Sequence, residues 1–394
     1  MKPLANITIV DFSRVLAAPM ATQILAELGA EVIKIERPGS GDETRRYEPR
    51  LPHGESAYFF AFNRGKRSMT IDLKSPSGRK IAFELAREAD VVVENFVPGA
   101  MDRMGLGYSQ ISEVNPRVVY VSSTGFGQTG PEAQRKGYDT IFQALSGIMS
   151  VTGQPDGPPA KAGVPISDQT SGLWVAIAAL TGLVGRGPAG RGCHIDVSMM
   201  DVQISLLALA TARLFALGEE PGRMGTEHPG RVPSAAYVCA DERWVQISAS
   251  DQQWLPLCSA LGLDDLARDE ALLANAGRVT QRDRVTRALS AAFAALPRAE
   301  VLRRLAANGV PAGAVNSVSE AIAQEQVRAR EMVDAFVHPT EGEFPALRTP
   351  LRFTGFPDPD VGVPPLLGAD TPEVLKRLGY TDAEIELLRT EDVV

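Results

Sequence analysis

Cysteine and histidine are scarce in this chain, whose 394 residues contain three cysteines and four histidines. Cys193, Cys239 and Cys258 lie far apart, so the sequence contains neither a CxxC pair nor a disulfide framework. The histidines show no HxH or HxxxH spacing. We therefore predict that the protein holds no metal ion and works in a reducing compartment, the cytoplasm.

An excess of positive charge and a long apolar run are also lacking. The formal net charge is −8, which gives no electrostatic case for binding nucleic acid or an anionic membrane. The most apolar windows, 173–184 and 203–217, are too short to span a bilayer. No long apolar segment typical of a signal peptide follows Met1. These patterns predict a soluble protein without a nucleic-acid or membrane partner.

The glycine loops that bind nucleotides are missing as well. The first predicted turn from strand to helix, 13–19, contains no glycine, and the chain has no GxGxxG loop at this place. It has no GxxxxGK[ST] phosphate loop and no GxSxG nucleophile elbow either. The absence of these motifs disfavours NAD, FAD and ATP as ligands, and we expect no tightly bound cofactor.

What the chain does contain is a regular alternation of short apolar segments and helical patterns. The predicted strands are 7–12, 31–36, 69–73, 90–95, 117–122 and 193–198, with helices at 17–28 and 76–89 between them. Nearly all-apolar strands that alternate with helices predict an α/β fold with a parallel sheet covered on both faces. We expect a Rossmann-like, doubly wound large domain.

The later part of the chain predicts a second, smaller α+β domain. A long helix at 201–217 and a Gly- and Pro-rich linker occupy 199–232. A hairpin at 235–240 and 243–249 follows, with helical patterns at 251–261, 281–295 and 298–308. We therefore assign 1–198 to the large domain, completed by 330–394, and 233–329 to the small one.

Asp168 stands out because it precedes the apolar helical stretch 173–184. A carboxylate at the start of a helix can be an ordinary N-cap, and Asp is among the residues most favoured there. Backbone N–H groups and the helix dipole can also hold such a carboxylate ionised, and an ionised carboxylate can attack an acyl group. The local sequence leaves both interpretations open.

Basic residues follow several of the predicted strands. Arg37, Lys74, Arg103 and Lys136 are all placed near strand ends or the loops beyond them. Ligands bind at the carboxyl ends of the strands in open α/β sheets. Each of these side chains can be an ordinary solvated charge. Together they could neutralise phosphate groups without a glycine loop.

The chain resembles the class III CoA-transferase family, also called the carnitine dehydratase and bile-acid-inducible protein family. The resemblance is most specific in segments 28–36, 95–105 and 192–199. The similarity runs from about Asp11 to the C-terminus. It implies acyl-CoA and carboxylic acid substrates, and a homodimer of two chains threaded through each other. Under the resemblance Asp168 is the catalytic aspartate. It also implies a CoA site lined by Arg14, Val15, Ala17, Arg37, Ile71, Lys74, Asn95, Phe96, Arg103, Met104 and Lys136.

The reaction that the resemblance implies moves CoA from an acyl-CoA to a free acid through an aspartyl anhydride and an aspartyl-CoA thioester. The same fold hosts α-methylacyl-CoA racemases, which need two acid/base groups. Where those enzymes have a histidine this chain has Tyr138, and Asp251 stands near the place of their glutamate. Tyrosine is a poor base at neutral pH. Racemisation and non-catalytic acyl-CoA binding remain the alternatives.

The choice of acids rests on fewer residues. The formyl-CoA:oxalate branch has a run of glycines where this chain reads 225–233, and a glutamine where it has Leu16, so oxalate is disfavoured. Arg45 and Arg46 could clamp the far carboxylate of a dicarboxylic acid, or be surface charges. With Leu16, Tyr138 and this arginine pair as substrate-binding candidates, we predict a succinyl-CoA-type donor and a C4 or C5 dicarboxylate acceptor. Transfer within one acid, or to a carnitine-type acceptor, stays open.

Overall fold

A computed structural model describes residues 1–188 and 190–394. These residues form two compact units. The large unit comprises Met1–Ile148, Ala162–Gly218 and Glu325–Val394, and the small unit comprises Met149–Lys161 and Glu219–Gln324. The segment expected to be a helix and linker, 199–232, is thus divided between the two.

The strands, in chain order, are β1 (Thr8–Asp11), β2 (Glu31–Glu36), β3 (Arg67–Thr70), β4 (Val91–Glu94), β5 (Val119–Thr124), β6 (Cys193–Ser198), β7 (Ser234–Val238), β8 (Trp244–Ser248), β9 (Ala312–Ala314), β10 (Val333–His338) and β11 (Gly342–Leu347). The helices, in chain order, are α1 (Ala17–Glu27), α2 (Ala57–Phe62), α3 (Pro76–Glu88), α4 (Ala100–Arg103), α5 (Tyr108–Val114), α6 (Asp139–Leu145), α7 (Ile148–Val151), α8 (Ile166–Gly185), α9 (Met199–Leu206), α10 (Ala208–Leu217), α11 (Asp251–Leu261), α12 (Asp264–Ala267), α13 (Asn275–Thr280), α14 (Arg282–Ala294), α15 (Arg298–Ala307), α16 (Val318–Ile322), α17 (Glu325–Ala329), α18 (Thr371–Arg377) and α19 (Asp382–Thr390).

The large unit is built on a six-stranded sheet in the order β3-β2-β1-β4-β5-β6. Every neighbouring pair in it is parallel. This order reverses direction between β1 and β4, which is the switch point of a doubly wound sheet. The prediction of an α/β fold with a parallel Rossmann-like sheet is therefore confirmed.

Both faces of the sheet are covered, because successive side chains of a strand point to opposite faces. Val10 and Val92 belong to a core that includes buried residues of α3, α18 and α19. Ile9 and Val91 belong to the core on the other face, with buried residues of α1 and α8. This two-sided burial explains why the strands read as nearly continuous apolar runs.

Two predicted elements have different bounds in the structure. The third strand was expected at 69–73 but ends at Thr70, because β2, its partner, ends at Glu36 and offers no backbone groups further on. The expected single helix at 201–217 is two helices, α9 and α10, bent by 63° at Leu207. Neither glycine nor proline in this stretch signals the break.

The small unit has an antiparallel sheet in the order β7-β8-β9, with the expected hairpin between β7 and β8. Its core contains buried residues of α11, α14 and α15 around Trp254 and Phe293. In the large unit, β10 and β11 form a hairpin whose Phe336 and Phe344 pack edge-on against Phe60 of α2.

Among the described residues, no single helix has both the length and the apolarity needed to cross a membrane. The bent pair α9 and α10 meets these criteria jointly, by length and composition.

Candidate active site

A pocket opens at the carboxyl ends of β1 to β4, beside the switch point of the sheet. This is where open α/β sheets bind ligands. The residues that line it are Phe12, Arg14, Lys34, Ile35, Glu36, Arg37, Gly41, Asp42, Ile71, Asp72, Leu73, Lys74, Phe96 and Met104.

The pocket brings together six of the residues expected at a CoA site, namely Arg14, Arg37, Ile71, Lys74, Phe96 and Met104. Arg37 and Lys74 are exposed at its rim, and neither forms an ion pair within the described part of the chain. They are therefore available for an anionic ligand.

The other five expected residues lie outside the pocket lining. Ala17 is buried at the start of α1, Arg103 is exposed at the end of α4, and Lys136 is exposed on the loop beyond β5. Asn95 donates from Nδ2 to the carbonyl oxygen of Arg14, at 2.8 Å, and accepts from the Arg14 N–H, at 3.0 Å. Asn95 therefore fixes the backbone that carries one of the pocket's arginines.

The turn after β1 is strained, and it is held from two sides. Val15, a β-branched residue, has a φ of 71°, in the left-handed region that such residues avoid. Its N–H donates to the Asp42 carboxylate at 3.2 Å, while Asn95 holds the preceding residue. Leu16, a candidate for substrate binding, is 1% exposed and is the N-cap of α1. Strain of this kind persists where surrounding contacts over-determine the conformation.

A buried network of charges supports this turn, and the sequence analysis missed it. Lys34 donates to the Ser13 carbonyl oxygen at 2.8 Å and pairs with Asp42 at 2.9 Å. Lys66 pairs with Asp11 at 3.1 Å. Burial opposes ionisation of Asp42, but the Lys34 ammonium outweighs it and lowers the pKa of Asp42 to about 2. Lys34, inside the otherwise apolar pattern of β2, was the available signal.

Arg45 and Arg46, the expected carboxylate clamp, point to different surroundings. Arg45 is buried, and its Nε and Nη2 both donate to the Glu36 carboxylate at 2.7 Å. Its guanidinium also lies over the Phe59 ring, 3.8 Å from the centroid. Arg46 is exposed. The pairing with Glu36 occupies Arg45, so the two arginines do not form a joint clamp in this structure.

Asp168 lies in the first turn of α8, but it is not the N-cap, a position that Pro165 takes. The cap interaction comes instead from Asp139 of α6. Its Oδ1 accepts the Ser167 N–H at 2.8 Å and the Asp168 N–H at 3.4 Å, and its Oδ2 accepts from Gln143 at 2.7 Å. The Asp168 carboxylate is therefore not needed for capping.

The environment of Asp168 disfavours its ionised form. Burial, followed by the charge of Asp139, raises the pKa of Asp168 to about 7. No ion pair joins Asp168 to a basic side chain within residues 1–188 and 190–394. Burial and the Asp168 charge also raise the pKa of Tyr58 to about 12, so this phenol stays protonated beside the carboxylate. Tyr138, expected near the substrate, is 76% exposed.

Close packing of two helices fixes where α8 begins. A Cβ on Gly172 would lie 2.5 Å from the Ala17 carbonyl oxygen of α1. Only a glycine allows this approach of α8 to the helix that follows the strained turn. The position of Asp168, one turn earlier on α8, thus depends on the same turn that shapes the pocket.

A desolvated carboxylate without a cation is suited to nucleophilic attack, and a pocket rimmed by Arg14, Arg37 and Lys74 is suited to phosphates. Among the described residues, no group of three or more His, Cys, Asp or Glu side chains could hold a metal ion.

Known proteins resemble the chain over most of its length. The family model described as CoA-transferase family III matches residues 4–371. A succinyl-CoA:glutarate CoA-transferase of Mus musculus is 39% identical over 395 residues, covering 100% of this chain and 91% of the relative. An acetyl-CoA:oxalate CoA-transferase of Acetobacter aceti is 39% identical over 359 residues, covering 91% of this chain and 90% of the relative.

A crystal structure of a CaiB/BaiF family protein from Brucella suis is similar, with a TM-score of 0.84 and 38% identity over 96% of this chain and 99% of that one. The family model and these full-length relatives agree with each other and with the arrangement of the pocket. The chain therefore belongs to the family III CoA-transferases.

Proposed function

We propose that the protein transfers CoA from a succinyl-CoA-type donor to a C5 dicarboxylate such as glutarate, with Asp168 as the covalent carrier. One observation carries this proposal. Asp168 is a desolvated carboxylate without a basic partner among the described residues, and a side chain from another helix has taken over its capping task. A carboxylate whose pKa is raised is also a stronger nucleophile than an ordinary one.

The chemistry needs a carboxylate because the group must become first an anhydride and then a thioester. An Asp168 oxygen attacks the thioester carbonyl, the C–S bond breaks, and CoA leaves as its thiolate. The thiolate then attacks the aspartyl carbonyl, which releases the donor acid and leaves an aspartyl-CoA thioester. The acceptor carboxylate attacks this thioester, forming a second anhydride and releasing the thiolate. Attack of the thiolate on the acceptor carbonyl gives the new acyl-CoA and restores Asp168.

The CoA moiety is assigned to the pocket at the ends of β1 to β4. Arg37 and Lys74 would meet its phosphates, with Arg14, which pairs with Glu43 at 2.7 Å, beside them, while Ile71 and Phe96 offer apolar surface. Arg103, exposed at the end of α4, and Lys136, exposed on the loop beyond β5, would add further positive charge. CoA is a substrate in this scheme, and no cofactor stays bound between turnovers.

The acceptor is proposed from chemistry and from relatives together. The mouse relative is named for succinyl-CoA and glutarate, which fits a C5 dicarboxylate. The relative from Acetobacter aceti is named for acetyl-CoA and oxalate at the same identity, so oxalate must be tested. Arg45 is already paired with Glu36. The exposed Arg46 is therefore the remaining candidate of the two arginines to bind the second carboxylate of the acceptor acid.

Exposed apolar side chains support a homodimer. Trp174 and Ile177 of α8 are 46% and 48% exposed, and Phe215 of α10 is 83% exposed. Large apolar side chains left exposed in this way are typical of interaction sites. We propose the interlocked homodimer expected from the family resemblance, in the cytoplasm, where the three free cysteines would stay reduced. If the chains interlock, dilution alone will not separate them, and dissociation in mass photometry will require denaturant.

The main experiment incubates the protein with succinyl-CoA and a panel of acids, namely glutarate, mesaconate, itaconate, citramalate, malate and oxalate, and identifies new CoA thioesters by mass spectrometry. Glutaryl-CoA is the expected product. Transfer to oxalate alone would remove the assignment to a C4 or C5 dicarboxylate and keep the class. Asp168→Asn should bind CoA but transfer none, and wild-type activity unchanged by this substitution would disprove the nucleophile.

Trapping tests the intermediate directly. Hydroxylamine or borohydride, added during turnover, should modify the peptide that contains Asp168, and modification elsewhere would refute the assignment. The racemase alternative predicts α-proton exchange of an acyl-CoA in D₂O without any acceptor acid. The structure offers little support for it, because Tyr138 is an exposed phenol and Asp251 forms an ion pair with the buried Arg278.

A further inference from the structure

A buried glutamate lies directly beneath the residues that line the CoA pocket. Glu94 is the last residue of β4 and is 4% exposed. Its Oε2 accepts the N–H of Phe96 at 2.8 Å. The Phe96 ring lies 5.0 Å from the Arg14 guanidinium, and Asn95 holds the Arg14 backbone. Glu94 therefore anchors a turn that carries both the aromatic and the basic side of the pocket.

The other side of this turn contains a second, polar pocket that the proposed mechanism does not use. Glu94, Ser122 and His194 line it together with Tyr108. The Ser122 hydroxyl hydrogen-bonds the Glu94 carboxylate and lies 3.0 Å from His194 Nε2. The His194 ring stacks on Tyr108, with centroids 5.2 Å apart. A continuous hydrogen-bonded chain thus leads from an imidazole to the CoA-binding turn.

The charges around Glu94 are acidic. Asp102 of α4 and Asp196 of β6 face it, and no ion pair joins it to a basic side chain within the described ranges. Burial first, and then these two carboxylates, raise the pKa of Glu94 to about 7, against the hydrogen bonds that favour its charge. Burial lowers the pKa of His194, and burial followed by Glu94 raises that of Tyr120, so both neighbours are neutral near pH 7.

We propose that Glu94 is a positioning residue for CoA, whose ionised carboxylate holds the Asn95–Phe96 turn in its binding conformation and releases it on protonation. This inference rests on the proposed CoA site. An isolated buried carboxylate is costly, and a neutral amide could accept the Phe96 N–H without that cost, so a purely structural turn does not need a group that can change charge.

The hydrogen-bonded chain can carry both protonation states. With Glu94 ionised, Ser122 gives its single proton to the carboxylate, and His194 Nε2–H donates to the Ser122 oxygen. With Glu94 protonated, the acid donates to Ser122, whose proton turns toward His194 Nε2, and the neutral imidazole then carries its own proton on Nδ1 instead of Nε2. The Phe96 N–H then faces a neutral acid, and this hydrogen bond is weaker than one to a carboxylate.

The experiment measures the dissociation constant of CoA from pH 5.5 to 8.5 by calorimetry in the Asp168→Asn protein, so that Asp168 itself does not titrate. Using 3′-dephospho-CoA removes the phosphomonoester of the ligand, which would titrate near pH 6. We expect affinity to fall about fivefold to tenfold as the pH drops through 7, the difference between a charged and a neutral acceptor. Adding Glu94→Gln should give weak binding that no longer varies with pH.

Three variants separate the outcomes. Glu113→Gln, a matched change at an exposed glutamate, should leave the pH step intact, and Asp196→Asn should move the step to lower pH by removing one repulsive charge. If His194→Asn abolishes the step while Glu94→Gln retains it, the histidine is responsible and the inference is overturned. In the active enzyme at pH 8, Glu94→Gln should raise KM for the acyl-CoA and leave kcat nearly unchanged. Absence of CoA binding at every pH would instead overturn the proposed CoA site.

Discussion

Replacing Asp168 by asparagine is expected to make the folded protein more stable at pH 8, although it removes the proposed nucleophile. Burial and Asp139 raise the pKa of Asp168 from 3.8 to about 7. The folded state therefore favours the protonated acid, whereas the unfolded chain ionises it readily. Above pH 7 the folded protein must bear the full cost of this buried charge. An asparagine at the same place bears no such cost.

The size of this gain in stability follows from the shift in the pKa of Asp168. About three pKa units correspond to about 4 kcal/mol above pH 7. Because Asp168 is half-buried and its charge is partly solvated, we discount this to about 1–3 kcal/mol. The sign follows from linkage. A raised pKa of the folded state contributes stability that is complete below pH 3.8 and lost as the pH rises through 7, so at pH 5 only about a third of the cost is present.

Urea denaturation of wild type and Asp168→Asn at pH 5 and pH 8, at one fixed protein concentration, measures this difference. The variant should gain stability at both values and gain clearly more at pH 8. Asp156→Asn, at an exposed aspartate, serves as the control and should show no gain that depends on pH. A variant less stable than wild type at pH 8, or a gain equal at both values, would refute the view that the carboxylate is desolvated.

Three further outcomes are expected. Asp42→Asn should lower the free energy of unfolding by about 2 kcal/mol, because the pKa of the Asp42 carboxyl is lowered to about 2. The loss should be the same at pH 5 and pH 7, since the carboxylate stays ionised over that range. Urea denaturation at several pH values measures the loss. Gly172→Ala should destabilise the protein by about 1–3 kcal/mol and slow transfer, since its Cβ would lie 2.5 Å from a carbonyl oxygen of α1. Gly185→Ala, in the same helix with no atom within 4 Å, should be neutral or slightly stabilising in the same assays. Finally, in the Glu94→Gln protein, where Glu94 no longer titrates, kcat/KM for the acyl-CoA should fall about tenfold from pH 8 to pH 6, as expected for ionisation of Asp168 with a pKa of about 7. Asp139→Asn should move this fall to lower pH, and a flat profile would contradict the assignment.

The parallel sheet could be predicted because its strands are buried on both faces and therefore show as apolar runs. β2, at Glu31–Glu36, has the predicted bounds. The end of β3 could not be predicted, because it depends on where β2 stops rather than on the residues at 71–73. The break at Leu207 has no local signal either.

The site was predicted less completely than the sheet, for a reason of distance along the chain. Asp168 was expected to cap its own helix or to act as a nucleophile, and the local sequence could not separate the two. Asp139, 29 residues earlier, accepts the N–H groups at the start of α8, so the Asp168 carboxylate is not needed as the cap. The pairing of Arg45 with Glu36 is likewise a tertiary contact, so the sequence could not show that this arginine is occupied.

The distribution of charge in the large unit fits the two demands of CoA transfer. Cations are placed where phosphates would bind. Arg37 and Lys74 lie at the rim without an ion pair to any residue of 1–188 or 190–394, and Lys34 lies beneath the strained turn. None is placed beside Asp168 in the described structure, where a nearby ammonium would lower the pKa of the carboxyl and make it a weaker nucleophile. A basic residue introduced next to Asp168 would therefore be expected to stabilise the fold and slow the chemistry together, as the asparagine substitution does in the extreme. The proposed nucleophile therefore has no basic partner among the described residues, and contacts elsewhere in the fold must offset the stability that this costs.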